Sequence, residues 1–130
     1  MAHFSHPASD NELIEFVDKW ASLLESEDYT AAYSLTSHDK YMKWTPELIR
    51  EAIKSYDECR PEQRVTVVGK FTDISQRKEV TRWSINRHGY IGEIWYDLNI
   101  DGYASDLTAT FGILESSDDL TIELSDIHVM

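Results

Sequence analysis

Apolar residues in the first half of the chain recur at the three- and four-residue spacing of amphipathic helices. Ser9 and Glu12 match the S-x-x-E capping box, in which each side chain satisfies a free backbone amide at the start of a helix. The apolar stripes predict three helices and one short extended segment, which are a helix over 10–26, a helix over Tyr29–Leu35, a helix from Pro46 with apolar residues up to Tyr56, and an extended stretch at Lys40–Trp44.

Beyond Pro61 the apolar period changes from helical to alternating, which is typical of strands with one buried face. A run of helices followed by a run of strands predicts an α+β fold, with three N-terminal helices packed on a curved antiparallel β-sheet. We expect a single domain over 9–130 after a flexible lead at 1–8. The predicted strands are Val65–Phe71, Glu79–Asn86, Tyr90–Ile100, Ala104–Leu114 and Leu120–Met130.

The pair Asp101-Gly102 predicts a two-residue hairpin, because a type I′ turn needs a positive φ at both central residues. Counting back from this turn places Asp97 directly opposite Asp106, on the face away from the core. Two carboxylates in that position repel each other unless they share a proton, bind a cation or act in acid–base chemistry. The alternative is that both are solvated or are neutralised by Arg82 on the neighbouring strand.

His88-Gly89 predicts a second hairpin, whose register places Trp83 opposite Ile94 on the core side of the sheet. The alternation along the last strand changes parity near Ser125, which predicts a β-bulge there. Both hairpins put their apolar side chains on the same face, so the sheet is expected to be buried on one side only.

Acidic residues dominate the chain of 130 residues, with 24 Asp and Glu against 12 Lys and Arg and a net charge of −12. The stretch from His88 to Met130 holds nine acidic residues and no Lys or Arg. This balance argues against nucleic acid and anionic membranes as partners. No apolar run has the length of a membrane span, the N-terminus lacks a secretory signal, and Cys59 has no second cysteine to pair with. These features predict a cytoplasmic protein.

The order of the predicted elements and two segments resemble the nuclear-transport-factor-2-like (NTF2-like) fold of the cystatin superfamily. The segments are Leu23–Thr36, which contains Asp-Tyr-Thr-Ala-Ala-Tyr, and Thr45–Ile49, which reads Thr-Pro-Glu-Leu-Ile. The resemblance implies a cone-shaped domain with a pocket at its open end, and a homodimer formed through the outer sheet face. Asp101–Thr108 and Asp126–Met130 are similar to segments of small bacterial domains, some of which neighbour toxin-immunity genes. Neither resemblance carries over a catalytic residue.

Aromatic side chains with polar tips, placed between the helices and the sheet, suit a small-molecule pocket. The alternative is that they only fill the core. The predicted core-facing positions of the strands within 79–114 contain no Asp, Glu or His, so we expect a non-catalytic domain with no metal and no cofactor. The candidate pocket residues are Trp20, Tyr33, Tyr56, Trp83 and Tyr96.

A large aromatic residue, Trp95, is predicted on the outer sheet face, where another group is expected to cover it. That group is either a second copy of the chain or the side chain of Arg82, which lies at cation–π distance in the predicted register. The acidic strands also favour a basic protein partner, and an immunity-type inhibitor of a basic toxin is the most specific form of this hypothesis. The expected partner or dimer face comprises Arg82, Glu93, Trp95, Asp97 and Asp106.

The predicted register also brings His128 close to Asp106 or Thr108. A histidine beside a carboxylate suits a general base, because histidine titrates near neutral pH. The alternative function is therefore a small isomerase- or dehydratase-like enzyme that uses His128 and Asp106 as an acid–base pair.

Overall fold

The computed structural model describes residues 3–5, 9–57, 60, 62–67, 77–87, 89–116 and 119–129. Three helices lie against a curled sheet that forms half a barrel, so the expected α+β architecture is confirmed. The elements are α1 (Asp10–Glu25), α2 (Tyr29–Leu35), α3 (Pro46–Lys54), β1 (His3–Ser5), β2 (Ser37–His38), β3 (Val65–Thr66), β4 (Lys78–Arg87), β5 (Tyr90–Ile100), β6 (Tyr103–Ser116) and β7 (Asp119–Val129).

The helices begin where the sequence predicts, because each has a side-chain cap. The amide of Glu12 donates to Ser9 Oγ at 3.1 Å, and the amide of Ser9 donates to Glu12 Oε1 at 3.2 Å, which completes the capping box of α1. Asp28 and Thr45 each accept from the backbone amide three residues later, at the starts of α2 and α3.

The extended segment predicted at Lys40–Trp44 is wrong. The extended residues are instead Ser37–His38, which pair in parallel with β7, and residues 40–43 form a turn. Lys43 adopts a positive φ of 52°, which a strand does not allow. The sheet is consequently mixed, although every other pairing in it is antiparallel.

Two other predicted segments are only partly described. Within the expected flexible lead, His3–Ser5 forms a strand that pairs with β7. The strand expected over Val65–Phe71 ends at Thr66, and residues 68–71 lie outside the described part of the chain. Cys59 also lies outside it.

The sheet order is β1-β7-β6-β5-β3, with β2 also paired to β7 and β4 also paired to β5. The core lies between the helices and one face of this sheet. Trp20 of α1 packs edge-on against Phe111 of β6, with ring centroids 5.0 Å apart. The alternating buried positions of the three long central strands supply the rest of this face, as the sequence predicts.

The hairpin predicted at Asp101-Gly102 is confirmed. Both residues have a positive φ, of 51° and 87°, and Ile100 pairs with Tyr103 across the turn.

Further from this turn the predicted register is wrong by two residues. Asp97 pairs with Thr108 and not with Asp106. β6 accommodates the extra residues at Ser105, whose hydroxyl donates to the carbonyl of Leu98 at 2.6 Å. Because the shift is even, Thr108 and the following residues of β6 stay on their predicted faces, but the expected Asp97–Asp106 pair does not form.

The β4–β5 register is shifted by three residues. Arg87 pairs with Tyr90 as the predicted turn requires, but Val80, and not Trp83, pairs with Ile94. An odd shift moves side chains to the opposite face. Trp83 therefore lies on the outer face of the sheet, where it is 37% exposed.

The bulge predicted near Ser125 is confirmed. On one side of it Phe111 pairs with Leu124, and on the other side Thr110 pairs with Asp126. Ser125 is the unpaired residue between them, so the last residues of β7 alternate with the opposite parity.

Candidate functional site

The outer face of the sheet, which is turned away from the helices, presents side chains in three rows. Each row crosses β5, β6 and β7 in order. The bulge at Ser125 sets two of these rows, because it turns the side chains of Asp126 and His128 outward. The rows are Glu93–Gly112–Glu123, Trp95–Thr110–Asp126 and Asp97–Thr108–His128.

The side chain of Arg77 covers Trp95 on this face. Its guanidinium carbon lies 4.9 Å from the centroid of the Trp95 ring, and its Nη2 lies 3.1 Å from Asp97 Oδ1. Thr108 Oγ1 donates to the same carboxylate oxygen at 2.7 Å. Trp95 is therefore shielded from within the chain, but by Arg77 and not by Arg82, which was the predicted alternative to a second copy.

Tyr90 lies across the row that contains Gly112. A Cβ atom on Gly112 would sit 2.8 Å from a carbon of the Tyr90 ring, so glycine is what allows the ring to approach the sheet. The Tyr90 hydroxyl donates to Glu123 Oε1 at 2.7 Å. Burial, together with this hydrogen bond, raises the pKa of Tyr90 to about 12. The hydroxyl therefore stays protonated and keeps donating to Glu123 at neutral pH.

Two adjoining clefts of about 320 and 610 Å³ open on this face, and we call them together the acidic groove. Both are lined by Asp39, Tyr90 and Glu123, so Tyr90 stands where they meet. Trp83 and Glu93 line the smaller cleft. Residues 38–41, which comprise the last residue of β2 and the turn after it, line the larger one.

The turn that carries Asp39 is fixed to the sheet by several contacts. The amide of Asp39 donates to the carbonyl of Leu124 at 3.0 Å. Trp44 Nε1 donates to the carbonyl of Ser125 at 3.1 Å, and this hydrogen bond connects the turn to the bulge in β7. The Asp39 carboxylate accepts from the amide of Tyr41 at 2.7 Å. This wall of the groove is thus preorganised.

The groove carboxylates have no counter-ion among the basic side chains that the structure describes. None of those side chains places a Lys or Arg nitrogen within 4.0 Å of the carboxylate of Asp39, Glu93 or Glu123. Lys40 is a basic residue of the described lining, and its ammonium lies over the ring of Tyr41 at 5.3 Å. Unpaired carboxylates in a partly desolvated cleft attract cations more strongly than carboxylates on an open surface.

A family model described as a domain of unknown function (DUF7668) matches residues 21–130. The chain belongs to this family. All residues that line the acidic groove lie within the matched range, whereas β1 and the capping box of α1 precede it. Comparisons with curated proteins and with solved structures gave no match.

The structure brings three of the five residues expected on the partner or dimer face together on the outer face, namely Glu93, Trp95 and Asp97. The other two lie elsewhere. Arg82 is turned toward α1 by the odd register shift, and its Nη2 lies 2.9 Å from Asp10 Oδ1. Asp106 lies in the irregular part of β6 and accepts from the hydroxyl of Tyr56 at 2.6 Å.

The predicted acid–base pair of His128 and Asp106 is not formed. His128 pairs with Thr108 across the strands, as expected, but its Nδ1 lies 3.0 Å from the carboxylate of Asp126. Asp106 has the Tyr56 hydroxyl as its partner. The two-residue register shift in β6 is what separates the expected partners.

The five aromatic residues expected to line one pocket are distributed over several sites. Trp20 and Tyr96 are buried in the core, and the Tyr96 hydroxyl donates to Asp18 Oδ1 at 2.6 Å. Tyr33 stacks on His38, with ring centroids 4.0 Å apart. Tyr56 lies beyond the end of α3, where it donates to Asp106, and Trp83 lines the acidic groove on the opposite sheet face.

Sequence reasoning missed four residues of the groove, which are Asp39, Tyr90, Gly112 and Glu123. Gly112 carries a local signal, since a glycine inside a strand often marks the close approach of another group. Asp39 reaches the groove through the β2–β7 pairing, and Tyr90 lies at a register shift between Tyr90 and Gly92 that the sequence does not signal. Glu123 pairs with Gly112.

Within the described ranges, no three His, Cys, Asp or Glu side chains are grouped closely enough to hold a metal ion. None of the helices described is long and apolar enough to cross a membrane.

Proposed function

We propose that this domain is a non-catalytic binding module that docks a basic protein partner in the acidic groove. The observation that carries the proposal is the set of three carboxylates, on Asp39, Glu93 and Glu123, that line one groove without a cationic partner among the described residues. A partner that supplies Lys or Arg side chains would neutralise them and would be steered toward the groove by the acidic field of the chain.

The spacing of the carboxylates suits an extended or looped segment of a partner. Glu93 and Glu123 occupy one row on β5 and β7, which are two strand spacings apart, or about 10 Å. Asp39 follows β2, the next strand beyond Glu123. Successive basic side chains of one segment could therefore meet successive carboxylates along the groove.

The same charges disfavour the alternative of a homodimer through this face. Two copies in contact would bring Glu93 and Glu123 of one copy toward the carboxylates of the other. Trp95, which motivated the dimer, is already shielded by Arg77. We retain the NTF2-like fold family as a proposal. This resemblance assigns a catalytic role to none of the residues in the groove.

Binding of an oligolysine peptide, followed by titration calorimetry at low and at physiological salt, tests the proposal. We expect binding that weakens steeply with salt. We also expect the double variant Glu93→Gln/Glu123→Gln to bind about tenfold more weakly, because each ion pair contributes roughly 0.2–1 kcal/mol.

The matched control is Glu15→Gln/Glu51→Gln, which removes the same charge from exposed positions on α1 and α3. Its affinity should stay within about twofold of wild type, since the lost charges are screened from the groove. If the two double variants weaken peptide binding equally, the loss of affinity reflects only the overall charge of the protein. That result would refute specific binding in the groove. Self-association of the wild-type protein that the groove variant abolishes would favour the dimer instead.

A further inference from the structure

The outer face already contains one bound guanidinium, that of Arg77. It lies over the Trp95 ring at 4.9 Å and pairs with the carboxylate of Asp97 at 3.1 Å. The hydroxyl of Thr108 donates to the same carboxylate at 2.7 Å and so fixes its orientation. This guanidinium is therefore held between an aromatic face and a carboxylate that a hydroxyl orients, and the more exposed Glu79 carboxylate lies 3.9 Å from its Nη1.

The acidic groove contains an aromatic face, a carboxylate and a hydroxyl in the same relation to one another. Tyr90 supplies both the ring and the hydroxyl, which donates to the Glu123 carboxylate at 2.7 Å. Gly112 lets the ring lie close to the sheet, because any side chain there would meet it. Of the Lys and Arg side chains that the structure describes, none places a nitrogen within 4.0 Å of Glu123.

We propose that the acidic groove selects an arginine side chain of the basic partner, with its guanidinium stacked on the Tyr90 ring and paired with Glu123. This inference rests on the proposed function and names the side chain that the groove recognises. A guanidinium is planar and weakly hydrated, so it stacks on a ring while it donates to a carboxylate. An ammonium group is compact and strongly hydrated, and it gains less from the ring.

The test compares two peptides of equal length and charge, one alternating glycine with arginine and the other alternating glycine with lysine. Titration calorimetry at low salt should show about two- to fivefold tighter binding of the arginine peptide to the wild-type protein. Tyr90→Leu should remove this preference. The control variant Tyr103→Leu changes a tyrosine that is 73% exposed and outside the groove, so it should retain the preference.

Tyr90→Phe separates the two contributions of Tyr90 and serves if the leucine variant unfolds. It keeps the ring but removes the hydroxyl that orients Glu123, so both peptides should bind more weakly while arginine remains preferred. Chemical-shift changes at the Gly112 amide, larger than those at the hairpin Gly102, should locate the bound peptide in the groove.

Each outcome distinguishes this inference from the function on which it rests. Equal affinity for the two peptides, with both still weakened by Glu93→Gln/Glu123→Gln, overturns the arginine preference and leaves the basic-partner function intact. The same holds if Tyr90→Leu weakens both peptides equally. Failure of both peptides to bind at low salt overturns the two proposals together.

Discussion

Replacing Gly92 by alanine should destabilise the protein, because the β4–β5 register leaves no space for a Cβ atom. An ideal Cβ built on Gly92 lies 2.3 Å from the carbonyl oxygen of Thr81 and 3.3 Å from the Cα of Arg82. Both obstacles are backbone atoms of the paired strand, so a rotamer change cannot relieve the clash. Gly92 does not have a positive φ, so the substitution introduces no backbone strain of its own.

The smaller conformational entropy of the unfolded alanine variant offsets part of the clash, by roughly 0.4–1 kcal/mol. After this offset, the expected net loss in the free energy of unfolding is about 2 kcal/mol, within the range for overpacked sites. For a chain of 130 residues the net loss corresponds to a fall in Tm of about 6–10 °C. Urea and thermal unfolding followed by far-ultraviolet circular dichroism would measure both quantities.

Gly112→Ala is the matched control, since both glycines lie in the central strands. Its nearest obstacle, at 2.8 Å, is the Tyr90 ring, which is a side chain that can move. We therefore expect a loss below about 1 kcal/mol. If Gly92→Ala costs no more than Gly112→Ala, then Gly92 does not face the β4 backbone, and the three-residue register shift is wrong.

Two further predictions concern the walls of the groove. Trp44→Phe removes the donor to the Ser125 carbonyl and should lower the free energy of unfolding, measured by urea titration, by about 1–2 kcal/mol. An unchanged midpoint of unfolding would show that the bulge does not depend on this hydrogen bond. The pKa of Tyr90 is about 12 in the folded chain against an ordinary value of 10.0. The folded protein therefore keeps a proton that the unfolded chain loses, and this contribution to stability is complete below about pH 10 and is lost as the pH rises toward 12. Tyr90→Phe should flatten the decline in urea midpoints over that range, and an identical decline in both proteins would contradict the raised pKa.

The helices were predictable because their signals are local. Ser9, Asp28 and Thr45 satisfy amides three residues away, so the short segments around them fix where each helix begins. The same applies to the hairpin at Asp101-Gly102, where the turn type depends on two adjacent residues.

Strand register was predictable only near each turn, since the register shifts in β4 and β6, unlike the parity change at Ser125, are not signalled by the alternation of the sequence. The shift of two residues in β6 kept Thr108 and the following residues on their predicted faces but separated Asp106 from both Asp97 and His128. The shift of three residues in β4 moved each side chain to the face opposite the predicted one, so that Trp83 lies on the outer face and Arg82 on the helix side. Candidate sites that combined residues of two strands were therefore the part of the prediction that failed.

The charge asymmetry of the sequence acquires a spatial meaning in the fold. Basic residues that precede His88 neutralise two of the carboxylates that follow it, since Arg77 pairs with Asp97 and Arg60 pairs with Asp101. Glu93 and Glu123 pair with none of the basic side chains that the structure describes, and both line the acidic groove. Charges that stabilised the fold alone would be expected to pair within the chain. Neutralising Glu93 and Glu123 should therefore weaken binding of a basic peptide without lowering stability, which is the combination expected of residues kept for function.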